Sequence, residues 1–371
     1  MKKVVTRAAI AAASIALLAG SLTACSNGSQ ASSSGGGGGG TAANAKIGLL
    51  LPDSVTARFA SADRPLFTER IKEKCPDCSV LYQNAGGDAS KQQQQAQAML
   101  TQGVKVLVLD AFDGEAAASI VSLAKSKNVP VISYDRLINS GDVSAYISFD
   151  NNKVGELQAT ALVDRMKELG IADDAGVLEV NGSPTDNNAS QFKAGAQSVL
   201  STTKYDVLGE YDTPGWDPAK AQSWAAGQIS KVGVDNIKGI YAANDDTAGG
   251  VISAMQAAGA TDLPPITGQD ATLAGLQRIL AGKQYMTVYK AFKPEAEGAA
   301  DLALELAAGK KASTTSTVKT ASGKTVPSVI LTPVAVTADN IKDTVVKDGL
   351  FTAKDICTTQ LADACTKYGI K

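Results

Sequence analysis

The sequence predicts an α/β protein: two Rossmann-like lobes, each built on a parallel sheet, joined by a hinge. Three observations carry this. From Lys46 onward, short apolar β-favouring runs alternate with helical patterns across short polar joints, the pattern of a parallel sheet flanked by helices. The alternation is interrupted near Phe149 and then restarts, so two runs of βα units follow one another. Residues 45–371 are also too long for one ordinary core and about right for two.

The first run opens with a strand at 47–51, ended by Pro52-Asp53-Ser54. A helix is expected over about 58–74, with Pro65 either kinking it or marking its true first turn. Strand 79–83, a glutamine-rich helix at 89–101, strand 104–109 and helix 115–127 follow. The stretch 131–155, VISYDRLINSGDVSAYISFDNNKVG, then links this run to the next. Residues 131–134 are bounded by Pro130 and Asp135-Arg136, as a buried parallel strand is at its carboxyl edge. In open α/β sheets that edge is where ligands sit. A second extended segment, 145–149, leads through Asp150-Asn151 into a helical pattern. If the two segments belong to different sheets, Asp150 and Asn151 mark the crossing between lobes.

The second run reads as helix 153–169, strand 176–180, helix 189–200, strand 206–211, helix 217–232, strand 239–243, helix 246–258, strand 265–267, helix 273–280 and strand 286–289. A helix at 294–308, a Thr- and Lys-rich hairpin at 312–324, a strand at 329–331 and a helical run near 340–346 complete the chain. Passes near 149–151, 288–290 and 332–334 would divide it into a first lobe of 46–149 with 290–331 and a second of 150–289 with 332–371. The sequence itself suggests only the first pass.

The amino terminus carries Lys2, Lys3 and Arg7, then an apolar stretch at 8–19, then Leu22-Thr23-Ala24-Cys25. This reads as a secretory signal at 1–24 ending in a lipobox, with Cys25 lipidated; an ordinary signal with an incidental cysteine is the alternative. The apolar core is shorter than the ~20 residues a spanning helix needs. From Cys25 to Ala45, including the glycines Gly35 to Gly40, there is little to bury, and the segment reads as a flexible tether with its ends on the order of 25 Å apart. These features place the folded part outside the cytoplasm, held to the cell membrane by lipid alone.

The 35 basic and 37 acidic residues nearly cancel, and Lys and Arg form no stripe, which argues against a nucleic-acid partner. The chain has no histidine, so the commonest general acid/base and metal ligand is missing and most hydrolase and metalloenzyme classes lose support. Cys75 with Cys78, and Cys357 with Cys365, are expected as local disulfides in an exported protein. A CxxC can also be a redox or zinc motif, but Cys75 follows a helical pattern and precedes a strand, the reverse of the usual redox arrangement.

Polar clusters fall just after strands: Asp135-Arg136, Asp186-Asn187-Asn188, Asn244-Asp245 and Gly268-Gln269-Asp270. With Arg58, Trp216 and Lys290 they supply carboxylates, amides, cations and an indole face, a set suited to a sugar, whose hydroxyls both donate and accept. Each has a bland alternative. Asp and Asn after strands are often helix caps, with Asp245 and Asn187 the first choices; the alternative for Trp216 is packing, and for Arg58 and Arg136 surface ion pairs. Convergence of the clusters on strand ends favours one shared cleft.

The strings YDRLIN (from Tyr134), YISFDNNKVGELQA (from Tyr146), GSPTDNNA (from Gly182), NDDTAGG (from Asn244), GQDATLAGLQRILAGKQYMTVYK (from Gly268), VPSVILTP and NIKDTVVKDG resemble the D-xylose-binding proteins of bacterial ABC importers. The resemblance runs from about Lys46 to Phe351; ribose- and galactose-binding proteins share the fold but not these strings. It implies the type I periplasmic binding protein fold, with Arg136, Asp186, Asn188, Trp216, Asn244, Asp270 and Lys290 contacting the sugar. Arg58, in ARF, matches a family arginine followed by an aromatic, with Phe59 in the aromatic's place, while Ser54 to Ala57 depart from the pattern. The second cysteine pair and the lipobox are additions to it.

The resemblance further implies a monomeric binding protein, not an enzyme, without cofactor or metal. Its partners would be a monosaccharide, foremost D-xylose, and an ABC permease, which receives the sugar after hinge closure. Glucose or another pyranose is the alternative ligand, and presentation of the sugar to a membrane receptor is the alternative role. A glycosidase using Asp186 and Asp270 as its carboxylate pair is the enzymatic rival.

Overall fold

The computed structural model describes residues 42–371. The expected signal peptide, Cys25 and the glycine run lie outside the described residues. Ala45 is buried and its carbonyl accepts Ser79 N at 2.9 Å, which ties the start of the packed chain to the second strand.

The first run folds as β1 (Lys46–Leu51), α1 (Arg64–Lys74), β2 (Ser79–Asn84), α2 (Ala89–Thr101), β3 (Val106–Leu109), α3 (Ala118–Ser126), β4 (Val131–Tyr134) and β5 (Ala145–Phe149). The second gives α4 (Asn151–Glu168), β6 (Gly176–Asn181), α5 (Asn187–Leu200), β7 (Asp206–Asp212), α6 (Pro218–Val232), β8 (Ile237–Ala242), α7 (Asp245–Ala257), α8 (Leu273–Leu280) and β9 (Thr287–Tyr289). The remainder supplies α9 (Phe292–Ala307), β10 (Ser316–Lys319), β11 (Thr325–Leu331), β12 (Val334–Val336), α10 (Ala353–Ile356) and α11 (Ala362–Lys367).

Among the described residues the strands form a seven-stranded sheet in the order β10-β11-β5-β4-β3-β1-β2, a three-stranded sheet β7-β6-β8 and a two-stranded ribbon β12-β9. In the large sheet only the β10–β11 pair is antiparallel. Every residue of β3, β4 and β5 is buried, as strands covered on both faces require. Leu49, Phe67, Ile132 and Ala299 belong to the core on one side of this sheet and Leu50, Leu107, Val121 and Tyr146 to the core on the other. The small sheet has its own two cores, around Val177, Phe192 and Tyr241 and around Leu178, Ala225 and Val251.

The chain leaves the large sheet after Phe149, returns to it through α9, which packs on α1 and β3, and leaves again between β11 and β12. Ile132 stands opposite Ala145, so β4 and β5 are neighbours in one sheet and the crossing follows β5. The first turn of α4 crosses α5 closely: a Cβ at Gly155 would stand 1.9 Å from the carbonyl oxygen of Phe192, so only glycine fits there.

Other elements differ from their sequence expectation for local reasons. The stretch 58–74 begins with a wide π-type turn, Phe59–Asp63, whose end is marked by Arg64 N donating to Phe59 O, and Pro65 follows in the first turn of α1. The expected helix at 115–127 starts later, because Asp113 Oδ1 accepts from Glu115 N and Ala116 N, both at 2.9 Å, and holds a turn there. Residues 265–267 make a single bridge, Ile266 with Ile240, instead of a strand; Pro264 and Pro265 have no amide to give a ladder. β9 pairs antiparallel with β12, which the sequence pattern did not anticipate.

Bonds join Cys75 to Cys78, with Cα atoms 5.3 Å apart, and Cys357 to Cys365, 6.0 Å apart. The second lies in a small carboxyl-terminal core where Ile341, Ile356 and Cys365 pack with Ala271, Leu276 and Tyr289, next to two of the loops described below.

Candidate functional site

A small polar cavity lies between the two lobes. Arg58, Arg136, Asp186, Asn188, Trp216, Asn244, Asp270 and Lys290, the eight residues singled out from the sequence, all line it. Thr56, Phe59, Asp135, Phe192 and Gln269 complete the wall.

The first lobe contributes from the ends of β1 and β4. After β1, Asp53 Oδ1 accepts from Val55 N at 3.0 Å and Thr56 N at 2.8 Å, turning the chain so that Thr56, Arg58 and Phe59 face the cavity. Arg58 is buried, not a surface ion pair: Nε donates to Asp63 Oδ2 at 2.9 Å, and Nη2 donates to Asp63 Oδ1 and to Glu295 Oε2, each at 2.6 Å. Its guanidinium lies 4.2 Å from the Phe292 ring centroid, and Nη1 has no hydrogen-bond partner in the protein. After β4, Asp135 adopts a left-handed backbone conformation (φ 53°). Arg136 is also buried; its Nη1 donates to Ala111 O at 3.3 Å, with Asp53 and Asp110 carboxylates 3.5 and 3.6 Å from its guanidinium.

The second lobe contributes from the ends of β6, β7 and β8. Asp186 and Asn244 are themselves the caps of α5 and α7, whereas Asn187 and Asp245, the caps expected from sequence, are each the first residue inside the helix. Asp186 uses Oδ1 for Asn188 N, at 2.8 Å, and keeps Oδ2 for Trp216 Nε1, at 3.0 Å. Asn244 Oδ1 accepts from Thr247 N at 2.9 Å, leaving its amide nitrogen for the cavity. Capping and lining thus coexist on one side chain. Trp216 packs into the second lobe's core, edge-on to Phe192, and also lines the cavity. A Cβ at Gly182 would lie 2.0 Å from Trp216 Cη2, so this glycine makes room for the indole.

Asp270 (φ 94°) and Trp216 (φ 57°) are, like Asp135, non-glycine residues in the left-handed region, a conformation that costs about 1–3 kcal/mol when the surroundings must hold it. That three of them meet at one cavity marks it as the strained, functional part of the fold. Lys290, just after β9, donates from Nζ to Asp135 Oδ1 at 3.0 Å.

The cavity's charges balance: Arg58, Arg136 and Lys290 stand against Asp135, Asp186 and Asp270. Burial works against ionisation of Asp135, but Lys290, Arg58 and Arg136 together hold its carboxyl well below the usual range. Burial pushes Asp270 up to about 7, against the pull of Lys290 and Arg58. It also raises Asp186, in spite of Arg136, and, behind the wall, takes Glu295 to about 8 in spite of Arg58. A balanced ring of donors and acceptors with aromatic faces suits a neutral, hydroxylated ligand; an isolated ionic group would enter without a counter-charge.

Of the wall residues not singled out from sequence, Asp135 and Gln269 sat in recognised strand-end clusters without an assigned role. Phe192 has helix-core spacing, and it does pack in the core as well. Phe59 was marked only as a substitute aromatic. Thr56 carried no signal beyond lying where the family strings break off.

Two α/β lobes on a three-pass hinge, closed over one polar cavity, define a solute-binding protein. The chain belongs to the periplasmic binding protein family, whose profile, described as a periplasmic binding protein domain, matches residues 47–311; its relatives are binding proteins, not enzymes. It is 40% identical over 312 residues to the D-xylose-binding periplasmic protein of Escherichia coli K12, covering 83% of this chain and 91% of the relative. It is 32% identical over 330 residues to the multiple sugar-binding periplasmic receptor ChvE of Rhizobium radiobacter, covering 84% and 92%. Among solved structures, a Clostridium phytofermentans ABC transporter solute-binding protein with bound β-D-glucose superposes with a TM-score of 0.77 at 28% identity, covering 84% of this chain and 100% of that one. A Chloroflexus aurantiacus carbohydrate transporter solute-binding protein in complex with D-glucose gives 0.76 at 27%, covering 83% and 97%.

Proposed function

We propose that this protein captures a monosaccharide, D-xylose, outside the cytoplasm and delivers it to the permease of an ABC importer. The observation that carries this reading is the balanced polar wall drawn from both lobes, in a chain whose relatives at 40% and 36% identity are D-xylose-binding proteins. The eight residues Arg58, Arg136, Asp186, Asn188, Trp216, Asn244, Asp270 and Lys290 hold the sugar. Arginine and lysine donate to its hydroxyls, the carboxylates accept, the asparagines do both, and the indole covers a C–H face. No proton transfer is involved.

Because the contacts come from both lobes, they exist together only when the cleft is shut, and binding shifts the population toward that state. The moving bodies are residues 46–149 with 290–331 and residues 150–289 with 332–371. Cys25 anchors the protein through lipid, with the glycine run as leash; a Cys25→Ser variant that stayed in the membrane fraction would overturn the anchor. The protein acts as a monomer.

Calorimetric titration of the full chain with D-xylose, D-glucose, D-ribose and D-galactose, beside an Asp270→Ala variant, tests the reading. One-to-one binding of D-xylose, lost in the variant, is the expected result. D-glucose is the second reading, favoured by the glucose-bound structural relatives, and its preferential binding would move the specificity while keeping the mechanism. Folded protein that bound none of the four sugars would refute the proposal.

A further inference from the structure

Thr56 provides the only hydroxyl among the residues lining the cavity. The residue is 6% exposed, and Oγ1 is buried without a hydrogen-bond partner in the protein. A threonine in a turn often satisfies its hydroxyl on nearby backbone; here the backbone needs are met otherwise, since Thr56 N donates to Asp53 Oδ1 at 2.8 Å and Thr56 O accepts from Phe59 N at 3.4 Å. The side chain is therefore fixed in place with its polar atom uncommitted. Leaving a buried hydroxyl unpaired is unfavourable, so the ligand side of the cavity is where its partner belongs.

A hydroxyl differs from the charged groups beside it in the wall. Arg58, Arg136 and Lys290 only donate and ionised carboxylates only accept, whereas a threonine can do either and can join an alcohol of either polarity. Thr56 also lies in the segment Ser54 to Ala57, which departs from the strings shared with the D-xylose-binding family. It is the one member of that segment that reaches the cavity wall.

We propose that Thr56 is a specificity-determining contact of this site, its Oγ1 hydrogen-bonded to one hydroxyl of the bound monosaccharide. The inference rests on the sugar-binding reading above. A site built to pair with a particular hydroxyl discriminates strongly against an analogue lacking it, so Thr56 contributes to the choice among closely related pentoses and hexoses.

The test is a calorimetric cycle on the full chain with whichever of the four monosaccharides binds tightest and with its monodeoxy derivatives. Thr56→Val keeps the shape and removes the hydroxyl; Thr56→Ser keeps the hydroxyl. The valine variant is expected to bind the parent sugar about ten-fold more weakly and the serine variant within about three-fold of the unsubstituted protein. For one deoxy sugar, the one lacking the partnered hydroxyl, the unsubstituted protein and the valine variant should bind alike. Thermal melts check folding, and Thr56→Ala replaces the valine variant in the cycle if that variant melts early. Parent-sugar affinity unchanged within two-fold on loss of the hydroxyl would overturn the proposal, as would an equal loss for every deoxy sugar, which would make Thr56 a packing residue. An unsubstituted protein that bound no sugar would instead remove the functional reading, and this inference with it.

Discussion

Arg136 and Asp186 face each other across the cleft, Nε to Oδ2 at 3.0 Å, although one follows β4 of the large sheet and the other caps α5 of the small lobe. Two donors and a cation converge on the one carboxylate: Trp216 Nε1 and Asn188 N donate to it, and the Arg136 guanidinium pairs with it by charge. Asp186 is thus a cap, an anchor for the indole and a bridge between lobes at once. In Asp186→Asn the carbonyl oxygen can still cap α5, but the amide group then turns toward Trp216 Nε1 and the Arg136 guanidinium. Stability should fall by about 3 kcal/mol, since Arg136 loses a buried counter-charge and Trp216 Nε1 its acceptor, while sugar affinity falls by about 100-fold. Thermal melts and calorimetry on the same preparation separate the two effects; a variant that lost the stability but kept the affinity would mean that Asp186 matters only to folding.

Gly182→Ala tests the indole's seat. The added methyl would occupy the space of the Trp216 ring, and a tryptophan held by Asp186 and Phe192 has little freedom to yield. We expect affinity to drop at least ten-fold, with a shift of Trp216 fluorescence in the sugar-free protein. The chain's other tryptophan, Trp224, is stacked on Tyr211 at 5.3 Å; a Trp224→Phe background leaves Trp216 as the reporter. Unchanged emission and affinity would show that the ring can shift without cost.

Asp270 makes stability depend on pH in a predictable direction. Its carboxyl is raised by burial from 3.8 to about 7, so between these values the folded state keeps a proton that the unfolded state has released. The stabilisation is complete below about pH 4 and is lost as pH rises through 7. Asp270→Asn, neutral throughout, should nearly match the unsubstituted protein at pH 4 and exceed it at pH 8 by roughly 3–4 kcal/mol. Asp246, raised by burial to about 6, and Glu295, raised to about 8, act with the same sign in both proteins and largely cancel in the difference. Sugar-free urea melts at the two pH values read it, and parallel pH profiles would show that Asp270 is ionised throughout.

Much of this was legible before the structure. Strand and helix alternation is written in side-chain period, and six of the eight wall residues sit in polar clusters at strand ends or in long family strings; Arg58 rested on the short ARF match and Trp216 on its residue type. What was missed turns on single-residue geometry. Asp186 and Asn187 carry similar chemistry one position apart, and which of them caps α5 depends on one backbone angle that no pattern encodes. The same holds for Asn244 and Asp245. Asp270 reaches the cavity through a left-handed conformation that its residue type does not demand. That β4 and β5 share a sheet depends on long-range pairing, and Thr56 looks like any turn threonine until its hydroxyl is found without a partner.

Gln158 offers the sharpest check on how the second lobe holds its half of the wall. It sits on α4, the helix entered directly from the first crossing, and is fully buried. Its Nε2 donates to Ala242 O at 2.9 Å, Gly268 O at 3.0 Å and, less directly, Ala243 O at 3.4 Å, while Tyr241 Oη donates to its Oε1 at 3.3 Å. One amide therefore ties the backbone just before Asn244 to the backbone just before Gln269 and Asp270. Ala242 O and Gly268 O keep second donors, Thr267 Oγ1 and Val288 N, so removing the amide does not orphan them. Gln158→Leu should cost about 2–3 kcal/mol, dominated by the lost bonds and the Tyr241 hydroxyl left behind. Because the brace joins only the Asn244 and Asp270 loops, affinity should fall about ten-fold while the fluorescence of Trp216, held separately by Asp186, stays as it was. A variant destabilised by that amount but binding sugar with full affinity would show that the two loops keep their positions without the glutamine, through Asp245, which accepts from Thr272 N at 2.8 Å and whose own N donates to Gln269 O at 3.0 Å.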